Sequence, residues 1–353
     1  MKIPRCSSRC SVDRKEKIME RKIIKFDEGN VRLENVKIPK LDSKSVLVKI
    51  EYSLISSGTE KAYLLGEENS VNVPKRFGYS SVGYIEAVGS SVENVKVGDR
   101  VFAIYTGHTN YSVKPSTYVW KLPDDIDFED AIFTKLASFP LLALRKAKYS
   151  FGESVVIVGT GLLGLLGVKI ASNIGATPLI AIGGSRKDRL LKAQEFGAQY
   201  VYTSSDDKLT SHVISDTASH SLIKGANIVI ETSGNEDGLL TALKYVSREG
   251  RIVLNGCNRI FNTSINYYKD VHLRGISIIG ANSSNRPSKG SELYNWTTRR
   301  DYKLILEWMS DGRMKHLDLI SEYANPSDCA NVYHRLLNDR EFPLGVVFDW
   351  TKI

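Results

Sequence analysis

Three glycines in Gly159-Thr160-Gly161-Leu162-Leu163-Gly164 have the spacing of a turn that holds phosphate. At this G-x-G-x-x-G spacing, Gly159 can make the tight turn and Gly161 lets backbone approach a pyrophosphate. Gly164 lets the following helix pack against the preceding strand. The free N–H groups and partial positive charge at a helix start complement the phosphates. A β-rich apolar run, Val155 to Val158, precedes the turn, and an amphipathic stretch leads to a second apolar run, Leu179 to Ile182. The spacing predicts one βαβ unit that binds a dinucleotide.

The end of the second strand predicts which dinucleotide. A carboxylate about 20 residues beyond the glycines would bind a ribose 2′-hydroxyl. The chain instead reads Gly183-Gly184-Ser185-Arg186-Lys187. A planar guanidinium suits a phosphate because it donates two parallel hydrogen bonds. The plainer reading makes Arg186 and Lys187 solvated residues at a helix start. Gly184, Ser185 and Arg186 together favour NADP(H).

The rest of the chain must position this turn. Its 353 residues suffice for two domains with separate cores. With 42% hydrophobic and 25% charged residues it has the composition of a water-soluble globular protein. No apolar run of about 18 residues occurs, so a membrane partner is not expected. Half of the net charge of +8 falls in residues 1–18, where six cations oppose Asp13 and Glu16. The body is only mildly basic and has no nucleic-acid motif, so nucleic acid is not an expected partner. Cys6, Cys10, Cys257 and Cys329 form no C-x-x-C pair, and the first 18 residues lack the apolar core of a secretory signal. A cytoplasmic protein with a disordered tail over 1–18 is the expectation.

Short alternating runs at Lys22–Asp27, Val31–Ile38 and Ser45–Ser53 read as strands. A polar gap over Ser56–Arg76 follows, then strands near Val101–Tyr105 and Tyr111–Trp120. Helices are expected over 128–148, then alternating strands and helices to residue 280. That alternation predicts a doubly wound parallel sheet. Helices over 299–311 and 327–338 and a last strand over Leu344–Trp350 complete an α/β chain.

Val82-Gly83-Tyr84-Ile85-Glu86-Ala87-Val88-Gly89, followed by Val97-Gly98-Asp99-Arg100-Val101 and then the glycine turn, resembles the medium-chain dehydrogenase/reductase superfamily, relatives of zinc alcohol dehydrogenases. The resemblance covers residue 20 to the end. It implies a GroES-like β-barrel catalytic domain formed by 19–145 and 283–353, clasping a Rossmann domain over 146–282. Ser56-Ser57-Gly58-Thr59-Glu60 and Leu344-Gly345-Val346-Val347-Phe348-Asp349-Trp350 are similar to a branch containing bacteriochlorophyllide-type dehydrogenases and biosynthetic oxidoreductases. Homodimers or homotetramers are common in the superfamily, and a small-molecule substrate is implied.

The departures from that family bear on the chemistry. Where zinc members carry a ligand cysteine the chain has Ser57, where they carry a ligand histidine it has Tyr79, and the third ligand region maps onto Thr134-Lys135-Leu136. A catalytic zinc needs about three nitrogen, sulfur or carboxylate ligands, so no zinc is expected. The resemblance then gives Thr59 the role of a proton-relay hydroxyl and lets Ser57 orient substrate. Tyr79 becomes a hydrogen-bond donor to a developing oxyanion, supported by Thr59 or by the charge of Lys135. Plainer readings make Tyr79 a filler of vacated volume and Lys135 a solvated helix residue. His108 either lines the cleft or satisfies its turn, and Glu60 is either a buried acid or a partner for a nearby cation. By analogy Thr232, Ser233 and Gly234, with Asn255, Gly256 and Cys257, face the nicotinamide from strand ends. The expected activity is NADP(H)-dependent interconversion of a carbonyl and an alcohol. Reduction of a conjugated double bond, as in enoyl or quinone reductases, and NADPH binding without catalysis are the alternatives.

Overall fold

The computed structural model describes residues 20–27, 30–67, 77–220, 224–257, 259, 262–287, 289–290 and 295–353. The tail over 1–18 lies outside the described residues. Strands β1 (Glu20–Asp27) and β2 (Asn30–Lys37) form an antiparallel hairpin. Strand β3 (Ser45–Leu54) is followed by helix α1 (Ser57–Leu65). Strands β4 (Ser80–Val88), β5 (Arg100–Ile104), β6 (Tyr111–Pro115) and β7 (Val119–Lys121) come next. Helix α1 corrects the expectation of an element-free polar gap at Ser56. Its nine residues include Gly58 and bury only Glu60 and Ala62, so no apolar stripe announces it.

The helical stretch is broken into α2 (Phe128–Ala131) and α3 (Thr134–Lys146). Then β8 (Val155–Val158), α4 (Leu162–Asn173), β9 (Leu179–Gly183), α5 (Lys187–Glu195) and β10 (Tyr200–Thr203) alternate as expected. Helix α6 (Leu209–His220) was not anticipated, because its threonines and β-branched residues are poor helix formers. Its buried Leu209, Val213 and Thr217 recur every four residues, a helical signal that was present. Strand β11 (Ala226–Glu231), helix α7 (Glu236–Tyr245), and strands β12 (Val246–Leu254) and β13 (Ser277–Gly280) complete this part.

The sheet runs β10-β9-β8-β11-β12-β13, and every neighbouring pair is parallel. Strand β8 is buried along its length, as a parallel strand covered on both faces must be. Val155 and Ile157 enter one apolar cluster and Val156 and Val158 another, so the period of two assigns successive side chains to opposite faces. In register, Val158 lies beside Ile182 and Glu231, and Glu231 beside Leu254. The glycine turn, Thr232 and Asn255 therefore leave the sheet at the same edge.

After β13 come α8 (Thr298–Ser310), β14 (Glu322–Ala324), α9 (Cys329–Asn338) and β15 (Val346–Asp349). Strand β15 returns to pair with β3, setting Val347 against Leu54 and Phe348 against Ser53. The resulting sheet, β14-β15-β3-β4-β5-β7 with β6 on β3, unites strands that precede and follow the parallel sheet in sequence. Its cluster includes Val46, Val48, Ile50, Tyr333, Phe348 and Trp350. The architecture is the expected one, a GroES-like domain beside a Rossmann-type parallel sheet. No helix among the described residues is long and apolar enough to cross a membrane.

Candidate active site

Strand β3 delivers Ser56 to the start of α1, and the loop before β4 delivers Tyr79. The two hydroxyls meet, Ser56 Oγ lying 2.7 Å from Tyr79 Oη. One buried carboxylate holds both segments. Glu60, only 1% exposed, accepts from the Ser56 N–H at 3.1 Å, the Gly78 N–H at 3.2 Å and Tyr333 Oη at 2.7 Å. His108 Nε2 faces it at 3.4 Å. His108 Nδ1 sits 2.7 Å from Ser53 Oγ, which also accepts from the Trp350 indole at 2.9 Å. Burial pushes the Glu60 carboxyl up, but the charge and hydrogen bond of His108 with those of Tyr333 and Ser56 outweigh it. The net effect holds Glu60 below the ordinary glutamate range. Thus Glu60 is the buried acid, and His108 serves this network instead of lining the cleft. Gly78, at φ 71°, fits here because a Cβ would lie 2.6 Å from the Gly107 and His108 backbone.

Lys135 departs from the plainer reading of it. It is buried, not solvated, and it is not among the residues that line the cleft. Its Nζ lies 3.8 Å from the Tyr105 ring centre and 5.1 Å from that of Tyr79, a cation supporting two phenols from behind. Burial, and secondarily the charge of Arg286, brings its ammonium down to about 7. Arg286 is itself pinned by Asp301 at 3.4 Å and by Ser138, one turn along α3 from Lys135. Burial raises the Tyr79 phenol above its ordinary range, so it stays protonated at neutral pH.

A cleft of about 590 Å³ runs from this hydroxyl pair to the edge of the parallel sheet. Ser57, Thr59 and Tyr79 line it, together with Gly161, Leu162, Leu163, Thr232, Ser233, Gly234, Asn255, Gly256 and Cys257. Gly159, Thr160 and Gly164 stand behind that wall and shape it. Gly159 takes φ 103°, and a Cβ on Gly164 would collide with the Gly159 carbonyl. At Gly161 a Cβ would meet nothing within 4 Å, leaving its face open to the cleft. That cradle fits a dinucleotide phosphate at the start of α4. Sequence alone gives Glu231, at the end of β11, no role of its own. Fully buried, it accepts from the Ser233 and Gly234 N–H groups at 2.7 and 3.1 Å and from Ser233 Oγ. Burial raises its carboxyl, and it fixes the turn that presents Thr232 and Ser233. Asn255 Nδ2 donates to the Phe139 carbonyl at 3.1 Å, tying that strand end to α3.

Gly184, Ser185 and Arg186 lie outside the cleft lining, at the start of α5. Arg186 is not an uncommitted cation, as its neighbours in sequence suggested. It donates to Asp188 through Nε at 2.9 Å and Nη2 at 2.8 Å, and its Nη1 lies 3.0 Å from Glu341. One turn on, Arg189 lines the cleft and donates to the Phe342 carbonyl at 3.1 Å.

The residues at the three family ligand positions do not fit zinc. Ser57 and Tyr79 offer hydroxyls, and Lys135 offers an ammonium that would repel a cation. The described residues contain no group of three His, Cys, Asp or Glu that could hold a metal ion.

Two family models match the chain: the alcohol dehydrogenase GroES-like domain over residues 42–124, and zinc-binding dehydrogenase over 163–299. D-Xylulose reductase of Saccharomyces cerevisiae is 29% identical over 263 residues, 65% of this chain and 73% of that protein. Sorbitol dehydrogenase of Rattus norvegicus is 28% identical over 263 residues, 65% of this chain and 72% of that protein. Galactitol-1-phosphate dehydrogenase from Escherichia coli superposes with a TM-score of 0.79 at 20% identity, covering 94% of this chain and 100% of that one. A Sinorhizobium meliloti protein solved with NADP bound gives 0.77 at 19% identity, covering 94% and 99%. At these identities the structural likeness shows the fold.

Proposed function

The chain belongs to the medium-chain dehydrogenase/reductase superfamily, among its alcohol dehydrogenase-like oxidoreductases, and from that membership we propose that it interconverts a carbonyl and an alcohol with NADP(H) and without zinc. The observation that carries this reading is the Ser56–Tyr79 hydroxyl pair, backed by Lys135 and opening on the cleft that begins at the glycine turn. The reductase and dehydrogenase names of the curated relatives support the carbonyl/alcohol direction over double-bond chemistry.

Gly161 to Leu163 and the strand ends at Thr232–Gly234 and Asn255–Cys257 would hold the coenzyme, with Gly184 to Arg186 on its 2′-phosphate. Bound there, the reduced coenzyme supplies hydride. The chain's own task is the oxygen. When the Ser56 hydroxyl donates a hydrogen bond to Tyr79 Oη, the phenol O–H is free to point into the cleft at a substrate carbonyl. The buried phenol is too weak an acid to ionise near neutral pH, so it acts as a donor and not as a base. Lys135, charged below about pH 7, stabilises negative charge accumulating on the Tyr79–substrate pair. Thr59, on the first turn of α1 and in the cleft wall, is the relay hydroxyl of this reading, passing from solvent the proton that completes the alcohol as hydride arrives.

Parallel fluorescence titrations with NADPH and NADH, combined with metal analysis, test this reading. Tighter NADPH binding and a turnover indifferent to chelators are expected. Preference for NADH, or one equivalent of tightly held zinc, would overturn the cofactor or the mechanism respectively. A second result follows from Lys135. Carbonyl reduction should be fast at acid pH and fall as pH rises through about 7, where the ammonium is lost. In Lys135→Met that limb should disappear and leave a flat, slower profile; an unchanged limb would remove Lys135 from the chemistry.

A further inference from the structure

Resting on the NADP(H) reading, we propose that Glu341 is a specificity-determining residue that competes with the coenzyme 2′-phosphate for Arg186 and weakens the enzyme's own preference for NADP(H). The residues of the expected phosphate site are contiguous in sequence, but their partners come from two ends of the chain. Arg186 caps α5, and its fork is spread over Asp188, two residues on, and Glu341, from the loop between α9 and β15. Its Nη1 also approaches the Glu341 carbonyl oxygen at 3.4 Å. The same loop contributes Asp339, Arg340, Phe342, Pro343 and Leu344 to the cleft wall, and Arg189 grips it at Phe342. Arg186 therefore stands where the parallel-sheet part meets a loop that lines the cleft.

Two consequences follow from the charges. A phosphate arriving at Arg186 meets a guanidinium already satisfied by two carboxylates, and one contact must open. It also meets the negative charge of Glu341, whose side chain is 71% exposed and free to swing away. Asp188 is held through both of its oxygens by a partner two residues away, so Glu341 is the ligand displaced. A ribose hydroxyl brings no charge and has no need to displace it. Glu341 thus penalises the phosphorylated coenzyme and not its parent, and the penalty is screened by salt because the pair is exposed.

The test is the dissociation constant of NADPH and of NADH, by fluorescence titration, for wild type, Glu341→Gln and Arg186→Gln at low and high salt. Glu341→Gln should tighten NADPH about fivefold at low salt, the upper end for one exposed ion pair, and leave NADH within about twofold. The gain should shrink at high salt. An unchanged NADPH constant in Glu341→Gln, or equal tightening of both coenzymes, would overturn the inference while Arg186→Gln still weakens NADPH alone. Arg186→Gln without effect on NADPH, in a wild type that prefers NADH, would instead overturn the NADP(H) reading and the inference with it.

Discussion

Replacing Tyr79 by Phe should lower the turnover of carbonyl reduction by roughly 10²- to 10³-fold, the cost of removing one preorganised donor from a developing oxyanion. The substitution keeps the ring that packs 6.4 Å from Phe139 and lies beneath the Lys135 ammonium. Volume and cleft shape are therefore retained, and only the hydroxyl that meets Ser56 is lost. NADPH affinity should stay within about twofold, since the hydrogen bond of that oxygen is made to Ser56, which is not a coenzyme-side residue. Single-turnover oxidation of bound NADPH reads the chemical step directly. A variant as fast as wild type would reduce Tyr79 to a filler of the space that a metal occupies in zinc relatives.

Glu60→Ala is expected to be the most damaging change to stability, lowering the unfolding free energy by about 3 kcal/mol, because several buried donors lose the acceptor they share. Four donors converge on this carboxylate: the Ser56 and Gly78 amides, Tyr333 and His108. Truncation leaves them facing an empty buried pocket without the acceptor they share. Urea unfolding monitored by tryptophan fluorescence measures the loss; a change below about 1 kcal/mol would refute the assignment. The pH sense is also set. Because its folded-state carboxyl lies below the ordinary value, Glu60 contributes stability above about pH 4.3 and loses it as pH falls through its lowered value. Glu60→Ala should flatten that acid limb. Any folded Glu60→Ala should also turn over slowly, since the carboxylate ties Ser56 to the residue preceding Tyr79.

Local pattern made the dinucleotide half of this protein legible. Apolar runs, a glycine turn and a helix succeed one another along a single stretch. Parallel strands buried on both faces must be continuously apolar, so β8 and β9 stand out without reference to anything else. The catalytic half was legible only where residues could be set against a family pattern. Helix α1 carries no stripe, and its anchor Glu60 reads like a surface acid, because its partners Gly78, His108 and Tyr333 are 18, 48 and 273 residues away. Lys135 illustrates the same limit. Nothing beside it in sequence says that it is buried behind two tyrosines, since Tyr79 and Tyr105 arrive from other elements.

Chain order thus decides that a glycine-rich turn stands between an apolar strand and a helix, and that Gly184-Ser185-Arg186 follows the second strand. Those properties depend on neighbours within a few residues, where backbone geometry and side-chain type suffice. Which groups are charged, buried or already paired is decided by the fold, because burial and ion pairing depend on distance through space. The pairing of β15 with β3 illustrates this. It brings the last strand to the active-site end of β3 and its preceding loop to the cleft. Arg186 thereby meets Glu341, 155 positions further along the chain.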